Sequence, residues 1–98
     1  MADLDALTRS YRAAFLRYLP RHQEAALASA YELGRQAVAD GVSLLELAYL
    51  HHEILLDVLK DTRPDDVADV ASAASTFQLE VLAPYDMTHR ALIDEEGA

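Results

Sequence analysis

Apolar residues recur at intervals of three and four along four separate stretches of this chain, the spacing that places them on one face of an α-helix. The first stretch runs from Asp3 to Leu19 and the second from about Arg21 to Asp40. The third runs from Leu44 to about Lys60, and the fourth begins at Val67 and continues to Leu92. Because no segment alternates with the period of a strand, the pattern predicts an all-α fold of four helices.

Residues that disfavour helix separate these stretches. Pro20 is expected to end the first helix, because proline has no backbone N–H to donate. Gly41 suits a left-handed turn that closes the second helix, and Ser43 with Glu46 forms a capping-box start for the third. Residues 61–64 form the next break. Short connections of this kind favour antiparallel neighbours and an up-down-up-down bundle.

Two residues inside the predicted helices leave alternatives open. Pro84 either kinks the long fourth helix or ends it near Ala83, and we expect a kinked helix because the apolar stripe resumes in phase beyond the proline. Gly34 lies in the second helix, where glycine costs about 1 kcal/mol relative to alanine. Either another backbone approaches closely at Gly34, or the surrounding alanines simply propagate the helix.

The third helix is apolar on nearly every side, and a helix of this kind has to be covered on more than one side. In a chain of 98 residues, we expect the cover to come partly from the other helices and partly from a second copy of the chain. The sequence therefore predicts a homodimer. The residues assigned to the core or the dimer interface are Leu44, Leu47, Leu50, Ile54, Leu55, Val58, Phe77 and Val81.

Composition and charge narrow the class of protein. A hydrophobic content of 52% predicts one folded domain, placed at residues 1–93, with a tail at 94–98 that we expect to fray. Residues 43–98 hold twelve acidic residues against Lys60, Arg63 and Arg90, and they account for the whole net charge of −9. This acidity argues against binding nucleic acid.

Without a signal-like N-terminus or an apolar run long enough for a membrane span, we expect a cytoplasmic location and no membrane partner.

His51, His52 and Glu53 in the third helix raise the question of chemistry. Adjacent histidines point about 100° apart on a helix, and the facing Glu-x-x-His pairs of carboxylate-bridged metal sites are missing, so we expect no metal site. His52 with Glu53 also resembles the phosphorylated-histidine motif of sensor-kinase dimerisation domains. The structural alternative is one buried ring and one ring at the helix edge.

An enzyme is not expected from this sequence. No serine has a base partner at a suggestive spacing, and no glycine-rich phosphate loop is present. We therefore expect neither catalytic residues nor a bound cofactor.

A small set of polar and aromatic side chains is our candidate for binding a protein partner. Tyr31 and Arg35 share a helix face beside Glu32, and tyrosine and arginine are enriched at protein interfaces. The alternative for Arg35 is an intramolecular pair with an acid such as Glu32. The full candidate set is Tyr31, Glu32, Arg35, His51, Tyr85 and Arg90.

Three blocks of sequence, at residues 30–35, 41–53 and 77–90, carry a resemblance to a known family. Together they resemble the N-terminal regulatory domain of RsbU-type serine phosphatases, a domain similar in fold to the C-terminal domain of the circadian clock protein KaiA. The resemblance runs from about Tyr11 to Leu92, which is nearly the whole chain. Each block alone is weak, and the ordered set of three is fairly specific.

The resemblance implies a non-enzymatic four-helix module that forms homodimers. In that family the domain binds a small activator protein of the serine-kinase/anti-sigma-factor fold and switches on an attached phosphatase. That phosphatase acts on an anti-anti-sigma protein in a partner-switching stress pathway. This chain departs from the family pattern at Tyr85 and Asp86, where phenylalanine and glutamate are common, and at Ala91, where glycine is frequent. These residues contain no phosphatase domain, so a phosphatase output is not assigned to them.

Three functional hypotheses follow from the sequence. The first is a homodimeric regulatory domain that binds another signalling protein. The second is a histidine phosphotransfer domain that uses His52 or His51. The third is a dimerisation module with no other ligand.

Overall fold

The computed structural model describes residues 4–97, and the regular structure in this range is helical. The helices are α1 (Leu4–Arg21), α2 (Glu24–Ala39), α3 (Leu44–Lys60) and α4 (Val67–Gly97), with a 3₁₀ turn at Pro64–Asp66 before α4. Four α-helices and no strand among the described residues confirm the predicted all-α class. Asp3, where we predicted the first helix to begin, and Ala98, the last residue of the predicted tail, lie outside the described residues.

The end of α1 differs from the prediction, because Pro20 lies inside the last turn and the helix continues to Arg21. A proline in this position removes only one hydrogen bond from the final turn. His22 closes the helix with a φ of 51°, and its N–H donates to the carbonyl of Tyr18 at 2.8 Å. The ring of His22 also stacks on that of Tyr18, with centroids 5.1 Å apart. Histidine is one of the few residues that tolerate the left-handed conformation used here.

The connection between α2 and α3 has the predicted local chemistry. Gly41 has a φ of 75°, and the N–H of Val42 donates to the carbonyl of Ala37 at 3.0 Å. This arrangement is a Schellman motif, in which glycine takes the left-handed position without a steric penalty. Ser43 then caps α3, because its Oγ accepts a hydrogen bond from the N–H of Glu46 at 3.0 Å.

α4 continues through Pro84 to Gly97, so the alternative of a helix that ends near Ala83 is wrong. Its 31 residues correspond to about 46 Å of helix, and the chain measures 51 Å along its longest axis. The helix also includes residues 94–97, which we had placed in the tail. The residues of α4 from Asp86 to Asp94 are exposed.

The packing order of the helices departs from a simple sequential bundle. α4 contacts each of the other three helices, and α1 contacts both α2 and α3. Within the described part of the chain, α2 and α3 do not pack against each other, although a sequential up-down bundle would place them side by side. They therefore lie on different sides of the pair formed by α1 and α4.

An aromatic cluster fills the core between α1 and α4. The ring of Phe77 lies 5.2 Å from Tyr11, 5.3 Å from Phe15 and 6.1 Å from Tyr18 between centroids. Aromatic pairs at these separations stabilise a core beyond the area they bury. Leu47, Leu50, Ile54 and Val81 are buried as well, and we had assigned all four to the core or the dimer interface.

The close approach of a second backbone explains Gly34. A Cβ added to Gly34 would overlap the carbonyl oxygen of Val81 and would lie 3.1 Å from Cγ of Pro84. The crossing of α2 and α4 at this point therefore needs a residue without a side chain. Of our two interpretations of Gly34, close packing is confirmed.

We expect Gly34→Ala to lower the free energy of unfolding by about 2 kcal/mol or more, because the added methyl group would push α2 away from α4. On an exposed helix the same change would instead stabilise the protein by about 1 kcal/mol. Urea denaturation followed by circular dichroism measures the difference. Gly41→Ala is the control for adding a methyl group without a steric clash. Its added Cβ has no atom within 4 Å, and only the positive φ of the backbone strains it. A Gly34→Ala protein as stable as the wild type would contradict this explanation of the crossing.

Candidate functional site

A groove between α2 and α4 brings part of the candidate set together. Tyr31 lies in this groove, and its hydroxyl donates to Sδ of Met87 at 3.4 Å. On one side of Tyr31 is a depression of about 220 Å³ whose lining includes Arg35, Met87 and Thr88. On the other side is one of about 390 Å³ whose lining includes Glu32 and Leu27. We refer to these two depressions, with Tyr31 between them, as the α2–α4 groove.

Carboxylates surround the part of the groove nearer the N-terminus of α2. Glu24, Glu32 and Glu80 line it, around the side chains of Leu27 and Tyr31. The groove therefore combines an apolar and aromatic floor with an acidic rim. A rim of this kind favours a partner whose contact surface is apolar at its centre and basic around it.

The charged members of the candidate set are paired within their own helices. Nη1 of Arg35 lies 3.2 Å from a carboxylate oxygen of Glu32, and Nε of Arg90 lies 3.1 Å from Asp86. The intramolecular alternative for Arg35 is therefore the one observed. All four side chains are more than half exposed, and exposed pairs of this kind contribute little to stability. Their charged groups remain accessible to a partner.

Tyr85 does not belong to the α2–α4 groove. Its hydroxyl donates to the carbonyl of Val42 at 2.8 Å, which ties α4 to the loop between α2 and α3. Burial, and to a smaller extent the charge of Glu46, raise the pKa of Tyr85. Its hydroxyl therefore has a structural role, and because the side chain is only half-buried, the assignment of Tyr85 to partner contact stays a prediction.

His51 is also a core residue and not a surface contact as we had assigned it. It is 6% exposed, and its Nδ1 lies 2.6 Å from the hydroxyl of Tyr11. Its ring stacks on Phe15 with centroids 5.8 Å apart. Burial lowers the pKa of His51, with a smaller contribution from the charge of His52, and burial raises the pKa of Tyr11. His52, the next residue, is exposed. The two rings are therefore placed as the structural interpretation of this pair predicted, with one buried and one at the surface.

α3 leaves a large apolar area uncovered on its outer side. Leu45 is 68% exposed, Tyr49 64% and Leu56 44%, and Leu44, which we assigned to the core or dimer set, is 53% exposed. Leu55 and Val58 of the same set are half-buried. We missed Leu45, Tyr49 and Leu56 as surface residues because we treated the helix as apolar all round. The 100° rotation per residue separates them from the buried face.

An ion pair that sequence reasoning did not identify connects α1 with α3. Nη2 of Arg12 donates to a carboxylate oxygen of Asp57 at 2.9 Å, and Nζ of Lys60 lies 3.6 Å from the other oxygen. The hydrogen bond from Arg12 is the main reason that the pKa of Asp57 lies below its ordinary value. No local spacing relates Arg12 to Asp57, which are 45 residues apart.

Two further findings concern sites that the described residues do not form. No group of three or more histidine, cysteine, aspartate or glutamate side chains among them is arranged to hold a metal ion. None of the helices in the same range is long and apolar enough to cross a membrane.

The buried state of His51 should make stability depend on pH. Its pKa is lowered in the folded protein, whereas in the unfolded chain it has the ordinary value of 6.5. The unfolded state binds more protons between these two values, so the free energy of unfolding is at its full value above about pH 6.5 and falls as the pH decreases below it. Urea denaturation at several pH values between about 5.5 and 7.5 measures this slope.

Two substitutions test whether His51 causes this pH dependence of the free energy of unfolding. His51→Gln should remove most of the pH dependence, while His52→Gln should leave most of it in place, because the charge of His52 is the smaller cause of the lowered pKa of His51. Equal slopes in the wild type and in His51→Gln would show that His51 is not the group responsible.

A family model described as the N-terminal domain of the phosphoserine phosphatase RsbU matches residues 9–88, a range that reaches from α1 into α4. This match confirms the resemblance derived from the three sequence blocks. Among curated proteins and among solved structures, no significant match to the chain was found.

Proposed function

Because the chain belongs to the family of RsbU N-terminal domains, we propose that it is a homodimeric regulatory module that binds a second signalling protein. The family assignment gives it a regulatory role in partner switching. The proposed partner is a small protein of the serine-kinase/anti-sigma-factor fold, within a stress-response pathway that controls a sigma factor. The chain itself would contribute recognition, and catalysis would belong to another domain or protein.

The α2–α4 groove is the observation that carries the proposal of partner binding. Tyr31 stands in the groove between two depressions and is held by its hydrogen bond to Met87. Tyrosine supplies a large contact area with few rotatable bonds, and methionine adapts its shape to a partner. These properties are typical of residues that dominate binding energy at protein interfaces.

The charges around the groove support a partner of defined chemistry. Glu24, Glu32 and Glu80 on the rim would attract a basic contact surface, which increases the rate of association and makes it dependent on salt. Arg35, exposed at the other end, would be available for a carboxylate of the partner after release from Glu32. The proposed partner therefore offers an apolar patch edged mainly with lysine or arginine.

We expect Tyr31→Ala to weaken binding of the partner at least about tenfold, since tyrosine anchors at interfaces contribute roughly 2 kcal/mol or more. The measurement is calorimetric titration of the purified chain with each kinase-fold, anti-sigma-type protein of the same host. Tyr49→Ala on α3 is the control, because it removes a tyrosine that lies outside the groove and is more exposed than the half-buried Tyr31. Its affinity per chain should stay at the wild-type value.

Two outcomes would overturn the proposal. If none of these kinase-fold proteins binds the wild-type chain, the role of partner recognition is wrong. If His52 acquires a phosphoryl group from acetyl phosphate or from a cognate kinase, and His52→Ala abolishes this, phosphotransfer replaces recognition as the function. His51 has no part in that second outcome, because it is buried against Tyr11 and Phe15.

A further inference from the structure

The outer side of α3 carries an ordered stripe of side chains. Leu45, Tyr49, His52 and Leu56 follow one another at intervals of four, three and four residues, which places them in one line along the helix. Each of them is exposed. The buried residues Leu47, Leu50 and Ile54 lie on the opposite side, against α1 and α4. We call this stripe the α3 face.

Charged residues border the α3 face along one edge only. Glu46, Glu53 and Lys60 are spaced seven residues apart, so they form a second line beside the stripe. All three are exposed, and Lys60 keeps only a 3.6 Å contact with Asp57 of its own helix. The edge is therefore acidic at the beginning and middle of the helix and basic at its end.

We infer that the α3 face packs against the α3 face of a second copy of this chain, with the two helices antiparallel about a two-fold axis near His52 and Glu53. The inference depends on the homodimer in the proposed function and specifies its interface. In an antiparallel pair the two-fold axis is perpendicular to the helices. The same edge of each helix therefore meets its own copy across the interface. Glu46 of each copy then lies opposite Lys60 of the other copy.

Charge decides between this arrangement and a parallel one. In a parallel pair the two-fold axis runs along the helices, so opposite edges meet, and the charged edge of each copy would face the uncharged edge of the other, where no ion pair can form. The antiparallel pair instead forms two attractive contacts, one between Glu46 and Lys60 at each end of the interface. Its single repulsive contact is between the two copies of Glu53 at the axis, next to the rings of His52.

The stripe itself is suited to a helix pair. In the antiparallel register set by Glu46 and Lys60, Tyr49 of one copy lies beside Leu56 of the other, so the two largest apolar side chains of the face cover each other. The interface is short, since α3 has 17 residues, or about 25 Å of helix. Because the interface is short, we expect it to bury less than the area of about 800 Å² per partner that is typical of tight complexes, and to dissociate in the micromolar range.

Sedimentation equilibrium of the whole chain, over concentrations from about 1 to 200 μM, tests the apolar contact. The wild type should be a dimer at the upper end, and Tyr49→Ala should raise the dissociation constant at least about tenfold. Tyr31→Ala is the matched control, because it alters a tyrosine of the α2–α4 groove. A monomeric wild type, or a dimer that Tyr49→Ala leaves unchanged, would overturn the inference.

Charge reversal tests the antiparallel register. Glu46→Lys and Lys60→Glu should each weaken the dimer, because each places like charges at both ends of the interface. The double variant with both changes should recover the wild-type dissociation constant, since every attractive pair is restored with its signs exchanged. Glu24→Lys on α2 is the control for a change of net charge and should have little effect. Circular dichroism of each variant verifies that the helices remain folded.

The results separate this inference from the proposed function. A double variant that dimerises as weakly as the single variants would refute the antiparallel register. If the chain dimerises through another surface, Tyr49→Ala has no effect on the dimer, and the inference fails while the proposed homodimer stands. If Tyr31→Ala weakens partner binding in a chain that never dimerises, the inference and the homodimer fail together, and partner recognition through the α2–α4 groove stands.

Discussion

The contact between Gly34 and the backbone of α4 is the constraint on which the arrangement of the helices depends. Because Gly34 has no side chain, α2 can approach the carbonyl of Val81 and the ring of Pro84 at van der Waals distance. α2 therefore packs closely against α4 and does not pack against α3, its neighbour along the chain. α3 is left to pack on α1 and on the remaining side of α4.

The second determinant is the buried pair of His51 and Tyr11. Their hydrogen bond joins α3 to α1 inside an aromatic core, where an unpaired polar group would be costly. Since His51 points inwards, the rotation of α3 is determined. His52 and the line formed by Leu45, Tyr49 and Leu56 then have to face outwards. A core interaction thus decides which apolar residues of α3 remain available at the surface.

These two constraints place the two proposed interaction surfaces apart. The groove lies between α2 and α4. The α3 face belongs to a helix that does not contact α2, so the two surfaces are separate although they lie on one small domain. A dimer formed through the α3 face would therefore leave the groove of each copy open. Such a dimer could bind two partner molecules at once, one at each groove.

Local chemistry determined the positions of the helices, and the sequence predicted them well for that reason. Gly41 and Ser43 close one helix and begin the next through contacts with residues a few positions away, and α3 has the predicted bounds. Tyr31 and Arg35 were also identified correctly as neighbours on one helix face, and both line the same depression. Pro20 misled us, because the end of α1 depends on the conformation and ring contact of His22 as well as on the proline.

Only the tertiary structure decided which side of each helix is covered. Tyr11 and His51 are 40 residues apart, and Tyr85 and Val42 are 43 residues apart, so no local pattern relates the members of either pair. Tyr11 joins α1 to α3 and Tyr85 joins α4 to the loop before α3, and the buried His51 is structural although its residue type suggests binding. A single sequence defines the helices and their apolar residues, because these follow from neighbours along the chain. The partner of each buried side chain follows from how the helices pack, and that depends on residues far apart in the sequence.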